Sequence, residues 1–324
     1  TREFLWQEGH CVYETEEECE KEARLYLDEY KKVCEELLAM PVIEGEKTDK
    51  ERFAGAKRTY TLEALMPDGK ALQMGTSHNL GQNFAKAFNI NFLGRDGHIK
   101  IPWQNSWGVS TRMIGAMVMT HSDDKGLVLP PKAAPVQIVI VPIYNDENRE
   151  KILKKAEEIK SRLKNYEVEV DGRDGYSPGW KFNEWELKGV PLRIEIGPKD
   201  IEKKQVVLVR RDTNEKEPVP AANVEKKAKE TLDYIQNHLF ENAKKFLKSN
   251  LVFAESWKDF LKHLKDRKLV NAPFCGMVEC EDCIKEKTNG ATSRLIPFGQ
   301  PKALGKCIHC NKEAKFMVIF GKAY

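Results

Sequence analysis

Cysteine spacing is the first feature of the chain that could support chemistry. Five of the eight cysteines fall within the last 50 residues, namely Cys275, Cys280, Cys283, Cys307 and Cys310. Tetrahedral zinc needs four soft ligands brought together by two short loops. Cys307-x2-Cys310 has the spacing of one such loop, and by spacing alone Cys280-x2-Cys283 could be the other. Four cysteine ligands would leave no open position for a substrate water, so such a metal would be structural.

The composition limits the partners that the chain can have. Its 324 residues include 53 basic and 50 acidic residues, and the net charge is only +3. Nucleic acid would therefore have to be bound by a local patch rather than by a basic tail. No apolar stretch approaches the ~20 residues of a membrane helix, and the opening segment TREFLWQEGH lacks the pattern of a signal peptide. We expect a soluble, cytoplasmic protein without a membrane partner, in which clustered cysteines indicate a metal before disulfides.

A helix is the first element predicted to position other residues. Thr15 can cap its amino end while Glu18 reaches back to the cap amide, and Pro41 ends it. Apolar residues recur at helical spacing and predict the buried face. They are Ala23, Leu27, Tyr30, Cys34 and Leu38. The segments TYTLEAL (59–65) and KALQMGTSH (70–78) follow with turn residues between them, which predicts an antiparallel hairpin.

The pattern changes after Pro130 and Pro131. VQIVIVPIY (136–144) is a nearly continuous apolar run, as expected for a strand covered on both faces. Helices and strands then alternate, which predicts an α/β sandwich domain. In order they are a lysine-rich helix (148–164), YEVEV, a Trp-containing helix (181–188), PLRIEIG and KQVVLVRRD. We expect a turn at 212–222 and an amphipathic helix that leads from Asn223 into the cysteine-bearing tail.

Four segments, in the same order along the chain, resemble prolyl-tRNA synthetases of the archaeal and eukaryotic type, which are class II aminoacyl-tRNA synthetases. TREFLWQEGH resembles the end of the motif 2 hairpin, and TSHNLGQNF (76–84) resembles the amino-acid-site strand and turn. SWGVSTRMIGAMVMTHSDDKGLVLPP (106–131) is similar to motif 3 and the connection after it. SPGWKFNEWELKGVPLRIEIGPKD (177–200) is similar to the segment that reads the anticodon.

The resemblance implies both a fold and a function. The expected fold class is α+β and α/β: part of a class II antiparallel catalytic sheet in 1–128, an α/β anticodon-binding domain in 129–222 and a C-terminal zinc-binding α+β domain in 223–324. The expected reaction joins L-proline to tRNA(Pro) through a prolyl-adenylate, with ATP and Mg²⁺ as substrate, in a homodimer. Threonyl- and glycyl-tRNA synthetases are alternatives because their anticodon domains are related, but WQEGH and the cysteine-bearing tail favour proline.

Three residues are assigned to ATP by the resemblance. Amino-acid activation builds up charge on phosphorus, and positioned cations must stabilise it. Arg112 corresponds to the arginine of motif 3, whose guanidinium can stack on adenine and meet the γ-phosphate, and it is the predicted catalytic residue. Gln73 and Thr76 resemble residues on the ATP side of the pocket. Without the motif, an arginine on a surface helix would more often be merely solvated.

Seven residues resemble the proline pocket of the family. Selecting proline requires a shallow apolar slot around a secondary ammonium that still needs hydrogen-bond acceptors. The resemblance implies walls from Trp6 and Phe53, an acceptor from Glu8, polar contacts from His10 and His78, and further contacts from Gly108 and Ser110. The alternative is that the two aromatic residues belong to a core and that both histidines are structural.

Three charged residues at seven-residue spacing match family positions that contact the two guanines shared by proline anticodons. They are Glu186, Arg193 and Asp200. Carboxylates accept hydrogen bonds from the amino groups of bases, and arginine donates to O6 and N7 of guanine. The alternative, strongest for Asp200, is a solvated charged face.

The resemblance also refines the predicted metal site. The family has a pair similar to Cys275-x4-Cys280, which implies Cys275, Cys280, Cys307 and Cys310 as zinc ligands and leaves Cys283 as a spare or alternate ligand. The terminal Tyr324 resembles the ending of the family, which folds back toward the catalytic domain. From the sequence alone, a frayed end would be the default.

The start of the sequence bears on whether this chain acts alone. It begins inside motif 2, so motif 1, an upstream loop and the arginine that grips the α-phosphate are not in it. Arg2 is the one nearby substitute, but in the family its position is not the one that contacts the phosphate. We expect that the parent protein is longer or that the chain by itself does not activate proline. A non-catalytic tRNA-binding fragment is therefore an alternative function.

Overall fold

The computed structural model describes residues 3–300 and 305–324. Contacts divide these residues into two compact units, which are described separately. The first unit comprises the described residues of Thr1–Glu35, Pro41–Ala116 and Lys244–Tyr324, and the second comprises Glu36–Met40 and Met117–Ala243.

Helices and strands follow one another along the chain. The first group is β1 (Trp6–Tyr13), α1 (Glu16–Lys32), β2 (Ile43–Glu46), β3 (Arg58–Leu65), β4 (Ala71–Gly81), α2 (Asn83–Ala87), β5 (Phe92–Leu93), β6 (Ile99–Lys100), β7 (Trp103–Ser110) and α3 (Arg112–His121). The second is β8 (Ile138–Pro142), α4 (Arg149–Arg162), β9 (Val168–Val170), α5 (Pro178–Leu187), β10 (Leu192–Ile196), α6 (Pro198–Glu202), β11 (Gln205–Arg210), β12 (Lys216–Pro220) and α7 (Val224–Asn250). The third is β13 (Leu251–Phe253), α8 (Trp257–Lys265), β14 (Leu269–Phe274), α9 (Val278–Lys287), β15 (Thr292–Pro297) and β16 (Phe316–Gly321).

A nine-stranded sheet forms the first unit, with the strand order β1-β7-β4-β3-β2-β15-β16-β14-β13. Its neighbouring strands are antiparallel except for β13 and β14, so the predicted antiparallel sheet is confirmed. β2 pairs with β15 through Glu46 opposite Ile296 and Gly45 opposite Pro297. An added Cβ at Gly45 would lie 2.3 Å from the Ile296 carbonyl oxygen, so this junction requires glycine. The cysteine-bearing tail was predicted to form a separate domain. In the structure, its strands β13 to β16 belong to the same sheet as β1 to β4 and β7.

The helix α1 covers one face of this sheet and begins as predicted. Thr15 Oγ1 accepts from the Glu18 amide at 3.2 Å, and Glu18 Oε2 accepts from the Thr15 amide at 3.1 Å, which satisfies two exposed donors of the first turn. The five apolar residues of the predicted face are all buried. α1 ends at Lys32 and continues as a π-helical turn, Val33–Leu37.

Packing on α1 decides which face of the sheet stays open. Trp107 of β7 stacks on Tyr26 of α1 with ring centroids 3.5 Å apart. The Trp107 ring also lies across Gly9 of β1, where an added Cβ would come within 2.2 Å of the ring. Because side chains alternate between the two faces of a strand, Glu8 and His10 must point away from α1.

The second unit is built on a five-stranded sheet with the order β12-β11-β10-β8-β9. β8 is parallel to both β9 and β10, and β11 and β12 are antiparallel additions. Every residue of β8 is buried, as the apolar run predicts. With the helices between its strands, the unit confirms the predicted α/β fold.

One predicted element is wrong. The turn expected at 212–222 contains the strand β12, which pairs with β11 along its whole length. Pro218 and Pro220 favoured a turn, but proline is tolerated on an edge strand, where a missing amide leaves no neighbour unpaired. Val219 between them is 1% exposed and joins the core, which anchors the strand.

Within residues 3–300 and 305–324, every helix is too short or too polar to cross a lipid bilayer.

Candidate active site

One cavity of about 560 Å³ opens on the first unit. All residues that the sequence analysis assigned to proline or ATP line it. They are Trp6, Glu8, His10, Phe53, Gln73, Thr76, His78, Gly108, Ser110 and Arg112. Their proximity is a feature of the structure, whereas the ligand of each residue stays a prediction.

The register of three strands explains why these residues share a face. β7 lies between β1 and β4 and pairs with both. Two rows of directly opposed residues cross the three strands, Glu8, Gly108 and Thr76 in one row and His10, Ser106 and His78 in the next. Directly opposed side chains lie on the same face, and so do side chains two residues apart. The cavity therefore lies over the face that α1 leaves open.

Aromatic side chains form the apolar part of the cavity wall. Trp6 is 58% exposed and Phe53 is 49% exposed, so neither is a core residue. The Phe53 ring lies 4.8 Å from the His78 ring between centroids. Thr59 Oγ1 accepts from the Phe53 amide at 3.0 Å and lies 3.0 Å from Nδ1 of His78. Thr59 thus holds the loop that carries Phe53 against β4.

The cavity contains few charged groups. Among its described lining residues, Glu8 is the one carboxylate and Arg112 the one arginine. Oε1 of Glu8 lies 3.0 Å from Nε2 of His10, and both side chains are exposed. Burial lowers the pKa of His78 to about 4, so its imidazole is neutral near neutral pH. A neutral imidazole can donate one hydrogen bond and accept another.

Arg112 is the first residue of α3 and reaches across to β4. Its Nη1 donates to the Gln73 carbonyl oxygen at 3.2 Å, and its amide donates to Ser110 Oγ at 3.3 Å. Nε2 of Gln73 in turn donates to Thr61 Oγ1 at 3.3 Å, next to a register shift between β3 and β4. These bonds hold Arg112 and Gln73 together at one end of the cavity. Arg2, the one nearby substitute named for the missing phosphate-facing arginine, lies outside the described residues.

A buried charge network that the sequence analysis did not predict lies beneath Thr61. Glu63 is 1% exposed and accepts from Lys47 Nζ at 2.8 Å and from Arg294 Nη2 at 2.8 Å. Arg294 comes from β15, so the tail contributes a cation to the sheet that carries the cavity. Burial lowers the pKa of Lys47, while the neighbouring Glu63 carboxylate raises it again, and the net direction is downward.

Several lining residues were also missed. They include Phe4, Phe84, Phe88, Gln104 and Ser106. Gln104 and Ser106 lie on β7 two residues apart, in the same series of every second residue as the predicted Gly108 and Ser110. A strand period of two could therefore have identified them. Phe84 and Phe88 are four residues apart, the spacing of neighbours on one face of a helix.

The predicted cysteine ligands converge in the first unit. One ligand atom from each of Cys275, Cys280, Cys307 and Cys310 lies within 4.8 Å of the others. Sγ of Cys280 is 3.7 Å from Sγ of Cys307, and Sγ of Cys310 is 3.5 Å from Sγ of Cys275. A tetrahedron with a Zn–S distance of about 2.3 Å has edges of about 3.8 Å, so this donor set fits zinc. Cys283 lies outside the group.

Two of the three predicted anticodon residues lie together in the second unit. Glu186 and Arg193 line one crevice with Arg210 and Arg211. Arg193 donates to Glu195 Oε1 at 3.0 and 3.1 Å, and its guanidinium lies 4.3 Å from the centre of the Phe182 ring.

Asp200 is not in that crevice. Its Oδ2 accepts from the Gly197 amide at 2.9 Å and caps α6, and its Oδ1 accepts from Gln205 Nε2 at 3.1 Å. It follows β10, whereas Arg193 lies near the start of that strand. Asp200 therefore has a local structural role, and its contact with the anticodon stays a prediction.

The end of the chain is ordered. The Tyr324 hydroxyl donates to Asp68 Oδ1 at 2.8 Å, and Lys70 Nζ lies 4.5 Å from the centre of its ring. The Ala71 amide donates to the Lys322 carbonyl oxygen at 2.7 Å. The frayed end taken as the default is therefore wrong, because the last residues pair with the hairpin of β3 and β4.

Three family models match the chain along its length. Residues 1–121 match the model described as tRNA synthetase class II core domain (G, H, P, S and T), and residues 137–231 match the model of an anticodon binding domain. Residues 257–324 match the model described as Prolyl-tRNA synthetase, C-terminal. The antiparallel sheet with its cavity and the α/β unit thus define a class II aminoacyl-tRNA synthetase.

Similar proteins narrow the class further. The chain is 51% identical to proline–tRNA ligase 2 of Clostridioides difficile (strain 630), over 100% of this chain and 67% of that protein. It is 52% identical to proline–tRNA ligase 2 of Bacillus cereus (strain ATCC 14579), over 100% of this chain and 68% of that protein. The chain belongs to the prolyl-tRNA synthetase family, which confirms the predicted family. It spans about two thirds of the length of these relatives.

Proposed function

We propose that the protein containing this chain ligates L-proline to tRNA(Pro) through a prolyl-adenylate, using ATP with Mg²⁺. The observation that carries the proposal is the convergence of the predicted proline and ATP residues on one cavity. Two relatives that share half of its residues are named proline–tRNA ligase 2, which supports the proposal.

The proline end of the cavity is assigned to β1, β4 and the loop that carries Phe53. Trp6 and Phe53 supply ring faces that a pyrrolidine can contact, and Glu8 is a carboxylate that can accept from the secondary ammonium. An added Cβ at Gly108 would meet only ordinary contacts, the nearest at 3.4 Å. The surrounding protein therefore does not demand glycine there, and its missing side chain leaves room for a ligand beside Trp6.

The ATP end is assigned to Arg112, Gln73 and Thr76. Adenylate formation breaks the bond between the α- and β-phosphates while the proline carboxylate attacks the α-phosphorus. The cation of Arg112 can neutralise charge on the nucleotide, and its bond to the Gln73 carbonyl oxygen holds the guanidinium before ATP arrives. Mg²⁺ brought with ATP would supply further positive charge for the same task.

Proline-dependent exchange of pyrophosphate into ATP, measured with the complete protein that contains this chain, tests this assignment. Arg112→Ala should lower the exchange rate by about 10²- to 10³-fold, the usual effect of losing one preorganised group that stabilises charge. Arg112→Lys should recover little, since lysine lacks the planar fork. Arg95→Ala is the matched control, because Arg95 is exposed and does not line the cavity. If both alanine variants lose the same activity, Arg112 is not an ATP residue.

Glu186 and Arg193 are assigned to anticodon recognition. Arg193→Ala should weaken charging of tRNA by an amount equivalent to about 1 to 3 kcal/mol, the worth of one base-edge contact. Pyrophosphate exchange needs no tRNA and should not change. An equal loss in both assays would make Arg193 a structural residue. Asp200→Asn should affect charging less, because its carboxylate already caps α6.

Zinc is assigned to Cys275, Cys280, Cys307 and Cys310. Metal analysis of freshly reduced protein should find about one zinc per chain, and Cys307→Ser should lose it. Cys283→Ser is the matched control and should retain the metal, since Cys283 lies outside the cluster. Zinc-free wild-type protein, or equal losses from both variants, would reject this ligand set. A homodimer and a cytoplasmic location also stay predictions.

A further inference from the structure

Two exposed aromatic residues lie stacked at one edge of the second unit. Tyr176 and Trp180 have ring centroids 4.1 Å apart at an interplanar angle of 24°. Tyr176 is 47% exposed and Trp180 is 43% exposed. Single exposed apolar residues are ordinary, but a stacked pair exposes contiguous ring surface in a fixed orientation. We call this pair with Arg173 the aromatic platform.

Arg173 holds the platform in place. Its guanidinium lies 5.2 Å from the centre of the Tyr176 ring and 5.3 Å from that of Trp180. Nε and Nη2 donate to the two oxygens of Asp171 at 2.9 and 2.7 Å, and Nη2 also pairs with Glu184. An arginine bound in this bidentate way has little freedom to move.

Asp171 beneath it is itself fixed from inside the protein. It is 3% exposed, and its Oδ2 also accepts from Trp185 Nε1 at 2.8 Å. The buried Lys181 donates to its carbonyl oxygen at 3.0 Å. The exposed rings are thus held in a fixed orientation by a polar network whose inner members, Asp171, Lys181 and Trp185, are buried.

The platform lies where ligands of such sheets usually bind. Asp171 directly follows β9, and Asp200 lies in α6, the helix that follows β10. Both strands are parallel to β8, so their carboxyl ends meet at one edge of the sheet, the usual ligand-binding edge of an α/β fold. An added Cβ at Gly175 or Gly179 would meet nothing within 4 Å, so the surface around the rings is open.

The charges around the rings indicate which part of a nucleic acid fits. Asp171 and Glu184 already pair with Arg173, so the platform offers ring faces rather than a free cation for phosphate. Bases in a duplex are stacked on one another, whereas unpaired bases are free to stack on aromatic side chains. We propose that Tyr176 and Trp180 stack an unpaired base of an RNA loop bound by this unit. The proposal rests on tRNA being the substrate and adds a site that the predicted anticodon residues do not include.

Binding of a labelled RNA hairpin that carries a proline anticodon in its loop tests the proposal, with the full chain and fluorescence anisotropy. Trp180→Ala should weaken binding about 5- to 100-fold, as expected from loss of one stacked base. Trp180→Phe keeps a ring and should restore most of the affinity. The slope of affinity against salt should not change, because no phosphate contact is lost. Leu187→Ala removes an exposed apolar side chain from the same helix and should bind like the wild type.

Hairpins with a single abasic position in the loop identify the stacked base. At one loop position, removing the base should weaken binding to the wild-type protein. The same abasic hairpin should bind the Trp180→Ala variant as well as the intact hairpin does, because each change removes the same contact. Wild-type affinity in Trp180→Ala, or an equal loss in Leu187→Ala, would overturn the platform alone. A wild-type chain that binds the hairpin no better than a duplex without a loop would overturn the anticodon function and the platform together.

Discussion

Replacing Glu63 by Gln should be among the most destabilising polar substitutions in the first unit. The Glu63 carboxylate is 1% exposed and is shared by two buried cations, Lys47 at 2.8 Å and Arg294 at 2.8 Å. The amide of Gln keeps the size but removes the charge, which leaves two cations without a counter-ion. Removing one partner of a buried ion pair costs about 3 to 5 kcal/mol, a large fraction of the 5 to 15 kcal/mol that typically holds a domain folded.

Removing the carboxylate of this network and removing one of its cations should cost different amounts of stability. Arg294→Met leaves Lys47 and Glu63 as a balanced pair, so the cost is chiefly the lost charge-assisted hydrogen bonds, about 1.5 to 3 kcal/mol. Glu63→Gln should therefore cost more than Arg294→Met. Adding Lys47→Met to the Glu63→Gln variant should recover stability, since it removes one of the two unpaired cations.

The loss in Glu63→Gln should also depend on pH. Burial already lowers the pKa of Lys47, and Glu63 opposes that shift. Without Glu63 the folded state would bind fewer protons than the unfolded state until the ordinary lysine pKa is reached, so stability should rise as pH increases from about 7 toward about 9. The wild type should change less over this interval.

Hydrogen–deuterium exchange in urea can measure these changes. Peptides from β3 and β15 report on the network itself, which matters because the chain contains two compact units and a whole-chain signal would mix them. Glu44→Gln is the matched control in β2, where Glu44 pairs with Lys31 at 3.2 Å with partly exposed side chains, and it should cost about 0 to 1 kcal/mol. A Glu63→Gln cost no larger than that of Glu44→Gln, or smaller than that of Arg294→Met, would refute the reasoning.

Two further predictions concern local contacts. Thr15→Ala removes the acceptor for the Glu18 amide and should cost about 0.5 to 2 kcal/mol, measured by exchange of peptides from α1 in urea, while Thr15→Ser should behave like the wild type. Burial raises the pKa of Asp171, but hydrogen bonds from Arg173 and Trp185 outweigh it and lower the pKa to about 2. This depressed pKa stabilises the folded state above about pH 4, and that contribution should be lost as pH falls toward 2. Asp171→Asn should not show this loss. Hydrogen–deuterium exchange of peptides from the second unit can measure both variants.

Local sequence patterns predicted α1, the hairpin of β3 and β4, the alternating elements from β8 to β11, and α7. The capping box at Thr15 and the apolar spacing of α1 act within one helix, and the alternation after residue 136 reflects strands that are covered on both faces. The β12 strand was missed because its prolines indicate a turn when read alone. What makes it a strand is its place at the sheet edge and the burial of Val219, and neither is visible in the local sequence.

The cavity was predictable as a set of residues but not as a geometry. Resemblance gave the individual positions, whereas the register of β1, β7 and β4 is what places Glu8, Gly108 and Thr76 in one row. The network of Lys47, Glu63 and Arg294 carried no sequence signal. Its members are separated by up to 247 residues, and no spacing rule connects a lysine after β2 to an arginine in β15.

The cysteine cluster depends on the same sheet as the cavity. Cys275 directly follows β14, and Cys280 lies on α9, whose Glu281 is 2% exposed. Oε2 of Glu281 accepts from Thr48 Oγ1 at 3.0 Å, and its Oε1 accepts from Ser293 Oγ at 2.5 Å, so the helix is tied to β15 and to the segment after β2. Because β2 and β15 join the two parts of the sheet, the position of α9 and the positions of β3 and β4 constrain each other. A substitution in the tail that reduces activity therefore need not act through a ligand, since it can shift the strands on which the cavity is built.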